Sequence, residues 1–326
     1  MKKSEIKKQE IIIQKKIELL QLVINYQKPN FREFIFVLVK FYKKYFKIQE
    51  ILKLLKINRN SYYYWNKVKH IKEKRESKYK IITQRIGKLC KQNKYSFGYR
   101  KITILYLKTY KERVNNKKVL KIMHLNKWLM TYRKPYNKKT LHTKKEQKTN
   151  LINLNFKADK PLQKIYTDLT CFSTKNGKLW LSVIMDGFNN QILSSEISKN
   201  PNLELVKKTF KKLPKLKEPC IMHSDQGSVY QNIKFKNYLN KKGFLISISR
   251  KAFPNDNAMI ESYFGTLKGY LKEQKPNFYT ENLETLNKKI KHFINYYNKH
   301  WLLAKFNYKS PFQYLRSKKI ETNKRI

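Results

Sequence analysis

The apolar rhythm of this sequence predicts an α/β domain, a five-stranded mixed sheet with flanking helices. A mostly α-helical region that contains helix-turn-helix candidates is expected before it. Three observations carry that prediction. Residues 164–198 contain three short apolar segments, KIYTDLTCFS, LWLSVIMDG and QILSSEIS, the first two joined by the turn signal NGK, which read as a meander. Beyond residue 200, helical and strand patterns alternate, the rhythm of α/β architecture. The chain is also strongly basic, with 74 Lys+Arg against 22 Asp+Glu and a formal net charge of +52 over 326 residues.

That charge is uneven. Residues 1–150 hold 42 Lys+Arg and 9 Asp+Glu, whereas residues 151–326 hold 32 and 13. Self-repulsion on this scale is relieved by a polyanion, and the first half has the balance of a nucleic-acid handle. Part of the lysine excess is also what an A+T-rich genome encodes. Cys90, Cys171 and Cys220 lie far apart with no CxxC, which supports neither a disulfide framework nor a zinc site. The longest apolar run, FIFVLV at 34–39, is too short to cross a bilayer. The start, MKKSEIKKQEIIIQKK, lacks the apolar stretch of a signal peptide. A soluble protein of a reducing, cytoplasmic compartment is expected.

Taken in order, Ile13, Ile17, Leu20 and Ile24 recur at helical spacing and place helices within residues 5–45. IQEILKLLKINRNSYYYW at 48–65 reads as a short helix, a turn at Lys56–Asn60, and a second helix capped by Asn60 or Ser61. It is either a helix-turn-helix or an ordinary helical hairpin with an aromatic packing face. FGYRKITILYL and VNNKKVLKIMHLNKWL make a second pair, with Asn115 or Asn116 as cap. Lys117, Lys118 and Lys121 are the DNA-binding candidates on its later helix. PCIMHSD and FLISIS supply the fourth and fifth strands. Helices are expected from about Asn202 to Leu213, near 231–242, from about Asp256 to Leu271, and over 281–300. The expected domains are a helical region at 1–70, a second helix-turn-helix-like region at 71–135 and a basic linker at 136–157. The α/β domain at 158–318 and a basic tail at 319–326 complete the chain.

Three of the scarce acids fall at element ends: Asp168 on the first strand, Asp225 at the end of the fourth, and Glu261 one turn into a helix. Between Asp225 and Glu261 lie 35 residues. Singly, a strand-end Asp is a turn residue and a helix Glu a solvated surface group. Together they stand where three elements of such a sheet could converge. On the helix, Ile260, Phe264, Leu267 and Leu271 share the face that packs on the sheet. Asn257, Gly265 and Lys268 lie within about 40° of Glu261 on another stripe. Asn257 and Lys268 are DNA-contact candidates or else solvated surface, and Asp256 is expected to cap the helix. Asp186 reads as a turn residue. His223 serves either in hydrogen bonding toward DNA or in packing at the strand end.

The segments NRNSYYYW, FGYRKI, VNNKKVLKIM, YTDLT, HSDQGSVY, SRKAFPNDNAMIESYFGTLK and INYYN…YKSPFQYL stand in a known order and spacing. Over most of its length the chain resembles the DDE transposases of bacterial insertion sequences, the OrfB-type proteins of the IS-three family. These are similar to retroviral integrases. The resemblance implies an RNase H-like integrase core in which Asp168, Asp225 and Glu261 are the catalytic, metal-binding triad. It also implies Mg²⁺ or Mn²⁺, two ions in the DNA-bound site, and metal-dependent cleavage and strand transfer of DNA ends. The expected partners are element ends and target DNA, further copies of the chain, and an upstream-frame fusion or partner protein. Two departures stand out: Ala252–Pro254 where the family has Gly and small polar residues, and His300 where it has Arg. The alternatives are a non-catalytic DNA-binding relic or repressor, which would have no need of all three acids, and an RNase H-like nuclease without strand transfer.

Overall fold

A computed structural model of the chain describes residues 3–24, 30–130, 150–250, 253–274 and 281–323. Most of the expected linker, Ala252 of the first departure, and the last three residues of the expected tail lie outside the described residues. The chain divides into two compact units, Met1–Arg85 and Ile86–Ile326.

In the first unit, α1 (Lys3–Ile24), α2 (Phe31–Tyr42), α3 (Ile48–Leu54) and the start of α4 (Arg59–Gln92), which contributes Tyr62, surround a small apolar core. The α2 sequence buries Ile35, Leu38, Val39 and Tyr42, the stripe that a 3.6-residue period aligns. A left-handed Lys56 (φ 52°) ends α3. Ile57 then donates its N–H back to the Leu52 carbonyl at 2.9 Å, which satisfies an orphaned helix-end acceptor. The cap of α4 is Asn58, not the expected Asn60 or Ser61. Its Oδ1 accepts the Asn60 N–H at 2.8 Å, the reach of an N-cap to the second helical amide. Once started, α4 meets no breaker for 34 residues. The boundary expected after residue 70 therefore lies inside a continuous helix.

The second unit opens with the end of α4, then α5 (Tyr99–Tyr110) and α6 (Asn116–Leu125). Asn115 caps α6, accepting the Lys117 N–H at 2.8 Å. The sheet follows: β1 (Lys164–Thr174), β2 (Gly177–Asp186), β3 (Ile192–Ser198), β4 (Cys220–Ser224) and β5 (Phe244–Ile248), in the spatial order β3-β2-β1-β4-β5. β1–β2 and β2–β3 are antiparallel, and β1–β4 and β4–β5 are parallel. This is the mixed sheet that the meander followed by alternation implies. α7 (Leu203–Lys211) lies between β3 and β4 in the chain. Between β4 and β5 the single helix expected near 231–242 is two, α8 (Ser228–Gln231) and α9 (Ile233–Asn240). Asn232 is extended there and caps α9 through the Lys234 N–H at 2.9 Å. Val206, Phe210, Tyr230, Phe235 and Leu239 pack with Ile165, Ile184, Met222 and Phe244 of the sheet as one buried cluster.

α10 (Ala258–Gln274) enters through a 3₁₀ turn, Pro254–Asn257, and α11 (Leu283–His300) follows. A last helix, α12 (Pro311–Asn323), has no counterpart in the sequence reading. Its signal is SPFQ at 310–313: Ser310 and Gln313 exchange side-chain and backbone hydrogen bonds at 3.0 and 3.3 Å, a capping box. Residues 319–323 of the expected tail thus belong to this helix.

Candidate active site

The β1–β4 register places two of the acids. Tyr166 pairs with His223. Continuing that parallel alignment by two residues brings Asp168 level with Asp225, just past the carboxyl end of β4. Such strand ends are where open α/β sheets gather their chemistry. Both side chains are half-buried. Asp168 Oδ1 accepts its neighbour Leu169 N–H at 2.7 Å, and Asp225 Oδ1 accepts the Gly227 N–H at 2.9 Å. The glycine in DQG is there for space. A Cβ on Gly227 would stand 3.0 Å from Asp225 Oδ1 and 3.3 Å from the Tyr230 ring.

Glu261 joins from α10. Ile260, Phe264, Leu267 and Leu271 are buried as expected, which turns the other stripe outward. Glu261 and Gly265 are exposed and Lys268 is half-buried. Two of the carboxylates act on the third. Burial, together with the nearby charges of Asp225 and Glu261, pushes the Asp168 carboxyl up to about 7, against the opposing pull of the Leu169 N–H and Lys268. Burial lowers the Lys268 ammonium, while Cys171 and Asp168 raise it. Its Nζ lies 5.7 Å from the Phe172 ring centroid. Beneath the acids, Tyr230 is wholly buried. Its hydroxyl lies 3.4 Å from Thr167 Oγ1, and burial with Asp168 and Asp225 holds it well above its ordinary range.

The oxygen donors are those a hard divalent cation takes. The mutual repulsion around Asp168 is what such a cation would relieve. Among the described residues, however, no three His, Cys, Asp or Glu side chains are already gathered as ligands of one ion. The donor chemistry fits; the convergence is incomplete, with Glu261 the exposed member.

Other expected residues fall elsewhere. Asp256 is structural, but not as a helix cap. It is 1% exposed, and its carboxylate receives Arg250 Nε (2.9 Å), Arg250 Nη2 (2.7 Å), the Arg250 N–H (2.9 Å) and Asn150 Nδ2 (3.0 Å). A bidentate guanidinium outcompetes exposed helix amides for a buried carboxylate. Asn257 is 3% exposed, with neither side-chain Nδ2 nor Oδ1 hydrogen-bonded. It does not present its amide to DNA in this arrangement. His223 is buried, with Nδ1 2.8 Å from Ser247 Oγ and Nε2 3.0 Å from Ser249 Oγ. Burial lowers it to about 4, although Asp256 opposes this, so it is a neutral tie between β4 and the end of β5. Asp186 is the turn residue expected, accepting the Phe188 and Leu162 N–H groups at 2.8 and 3.2 Å. On α6, Lys117 and Lys121 are exposed and Lys118 half-buried. The Arg250–Asp256 pair escaped the sequence reading because it spans a turn, where no periodicity marks a partner.

Comparison with known proteins matches residues 158–254 to a family model described as Integrase core domain, and residues 77–136 to one described as HTH-like domain. The first interval contains Asp168 and Asp225; Glu261 lies beyond it. The second covers the end of α4, α5 and α6, the later of the two expected helix-turn-helix pairs. Fold and family match together define a polynucleotidyl transferase with an integrase core and an HTH-like DNA-binding region. Among similar chains is the putative transposase InsK for insertion sequence element IS150 of Escherichia coli (strain K12). It is 30% identical over 280 residues, which are 83% of this chain and 94% of the relative. The transposase for insertion sequence element IS904 of Lactococcus lactis subsp. lactis (strain IL1403) is 31% identical over 245 residues, 73% and 94% of the two chains. The chain belongs to the transposases of bacterial insertion sequences. Its structural neighbours include the HTLV-2 integrase catalytic core domain in complex with magnesium, at 18% identity, a TM-score of 0.37, and coverage of 48% of this chain and 97% of that one. No helix among the described residues is long and apolar enough to cross a membrane.

Proposed function

We propose that Asp168, Asp225 and Glu261 are the catalytic triad of this transposase, and that they hold Mg²⁺ or Mn²⁺, as two ions, when DNA is bound. The carrying observation is that Asp168 feels both other carboxylates, although the three come from β1, the end of β4 and α10. When bound, such ions polarise the scissile phosphate and activate the attacking oxygen. Asp168 and Asp225, each fixed through Oδ1 by a backbone N–H, provide two pre-positioned members of the three-residue ligand set. Glu261 completes it from the exposed face of α10. Lys268 offers a cation to a phosphate near the reacting one. Water attacks when the element's end is cut, and the freed 3′-hydroxyl attacks when that end is joined to target DNA. Neither reaction requires a protein nucleophile.

Recognition of the ends falls to the helical region before the core, with Lys117, Lys118 and Lys121 on α6 toward phosphate. The chain works as a homo-oligomer on the paired ends, with or without an upstream-frame partner or fusion. Asp168→Asn, Asp225→Asn and Glu261→Gln keep the shape and remove one charged ligand each. Each should abolish cutting and joining of terminal DNA with Mn²⁺ while DNA binding persists. Turnover retained in one variant removes that residue from the triad, and cutting without joining in the parent chain would make it a nuclease instead.

A further inference from the structure

The helices that read DNA and the sheet that carries the acids lie in one compact unit. Covalent connection alone does not fix their separation. The residues between the end of α6 at Leu125 and the start of β1 at Lys164 could span about 130 Å if extended. Side-chain contacts must set the distance, and many of them meet at Trp301, which follows α11.

Trp301 is 3% exposed. Phe97, just before α5, meets its ring edge-on at 5.1 Å between centroids. Lys101 of α5 lies over the same pair, its Nζ 4.1 Å from the Trp301 centroid and 4.8 Å from that of Phe97. One turn back on α11, Tyr296 donates its hydroxyl to Asn93 Oδ1 at 2.8 Å. Lys108 of α5 donates to the Tyr308 carbonyl at 3.0 Å. On the core side, Trp301 also touches Tyr270 of α10 and Phe293 of α11. α11 is in turn tied to the sheet edge, where Asn298 pairs both its amide groups with the backbone of Ile192 at 2.9 Å. Aromatic edge contacts and a cation over indole are each modest, but here they converge in a buried place. An unbroken path of contacts therefore runs from α5 through Trp301 and α11 to β3.

We propose that this cation–aromatic joint is the spacer of the transposase: it holds the HTH-like region at a fixed distance from the carboxylates, so that the sequence read by the helices selects the phosphodiester that is cut. The proposal rests on the triad reading above for its second half only. Trp301, Phe97, Lys101 and Tyr296 are positioning residues; none is assigned contact with DNA or metal.

The test uses the full chain. Spin labels on Lys121→Cys of α6 and Lys178→Cys of β2, in a Cys171→Ser background, report the separation without DNA or metal. The parent should give one narrow distance, Trp301→Ala a broad distribution, and Lys101→Gln an intermediate one. Unlabelled Trp301→Ala should bind terminal DNA as the parent does, while its cuts with Mn²⁺ spread from one phosphodiester to several neighbours. An unchanged distance in Trp301→Ala overturns the joint, as does a broadened distance accompanied by a single cut position. Should Trp301→Ala fail to fold, Lys101→Gln and Tyr296→Phe decide by the same two readouts. If even the parent cuts nothing, the triad reading fails, and the distance distributions still decide the joint.

Discussion

Asp256 and Glu261 stand five residues apart, yet the first is buried and the second exposed. At the junction from β5 into α10, charge is satisfied. Arg250 embraces Asp256, Asn150 adds a second partner, and His223 lies neutral between two serines. One turn further on, charge is left in conflict, with Asp168 pushed up to about 7 by burial and by its acidic neighbours. Folding explains the first arrangement, because a buried charge is tolerated only when paired and hydrogen-bonded. Folding alone does not favour the second. That conflict is the observation on which the proposed metal site rests.

The contrast can be broken most directly by making the same substitution in both places. Asp168→Asn should lower cutting by at least ~10³-fold, since a lost ligand removes several kcal/mol of transition-state stabilisation. It should not destabilise the fold. A carboxyl whose folded pKa is raised costs stability as pH climbs from its ordinary 3.8 to about 7, so at pH 8 the amide should melt no lower than the parent. A substantially lower melting temperature would mean that Asp168 is structural.

Asp256→Asn should do the reverse. It leaves Arg250 buried and uncompensated, which costs roughly 3–5 kcal/mol in denaturant unfolding. Activity should then be lost only in step with the folded fraction. The pH sign is also opposite. Burial alone would raise Asp256, but the hydrogen bonds and charge of Arg250 hold it below its ordinary 3.8. Its stabilisation is therefore present above that value and is lost as pH falls through the lower folded value, a limb the amide variant should lack. A normally stable Asp256→Asn that no longer cuts DNA would move Asp256 to the catalytic side of the comparison.

Lys268→Ala tests the border between the two regions. Joining should slow about tenfold, the loss of one charge-assisted phosphate contact, with Mn²⁺ affinity nearly unchanged. Lys268→Arg should be milder. Wild-type joining by the alanine variant at both low and moderate salt would make Lys268 a solvated surface group. The smallest effects belong to α6. Lys117→Ala and Lys121→Ala should each weaken binding across all sequences and reduce the slope of log affinity against log salt by about 1. A slope unchanged in both would take α6 off the phosphate backbone.

Much of this was legible in the residues themselves. Alternation and turn signals from 164 to 198 specify a meander, because strand side chains repeat every second residue. The apolar stripe Ile260, Phe264, Leu267 and Leu271 determines which face of α10 is buried, and hence that Glu261 is exposed, while Lys268 at the edge of that face is half-buried. Caps at Asn115 and Asn202 are local hydrogen bonds that their own neighbours dictate. What local rules could not supply is partner choice across distance. That Asp256 would be taken by Arg250, that His223 would be a buried tie, that Asn257 would lie inside, and that α5 would seat against Trp301 depend on which surfaces meet after collapse. Periodicity reports the direction a side chain faces; only packing decides what it finds there.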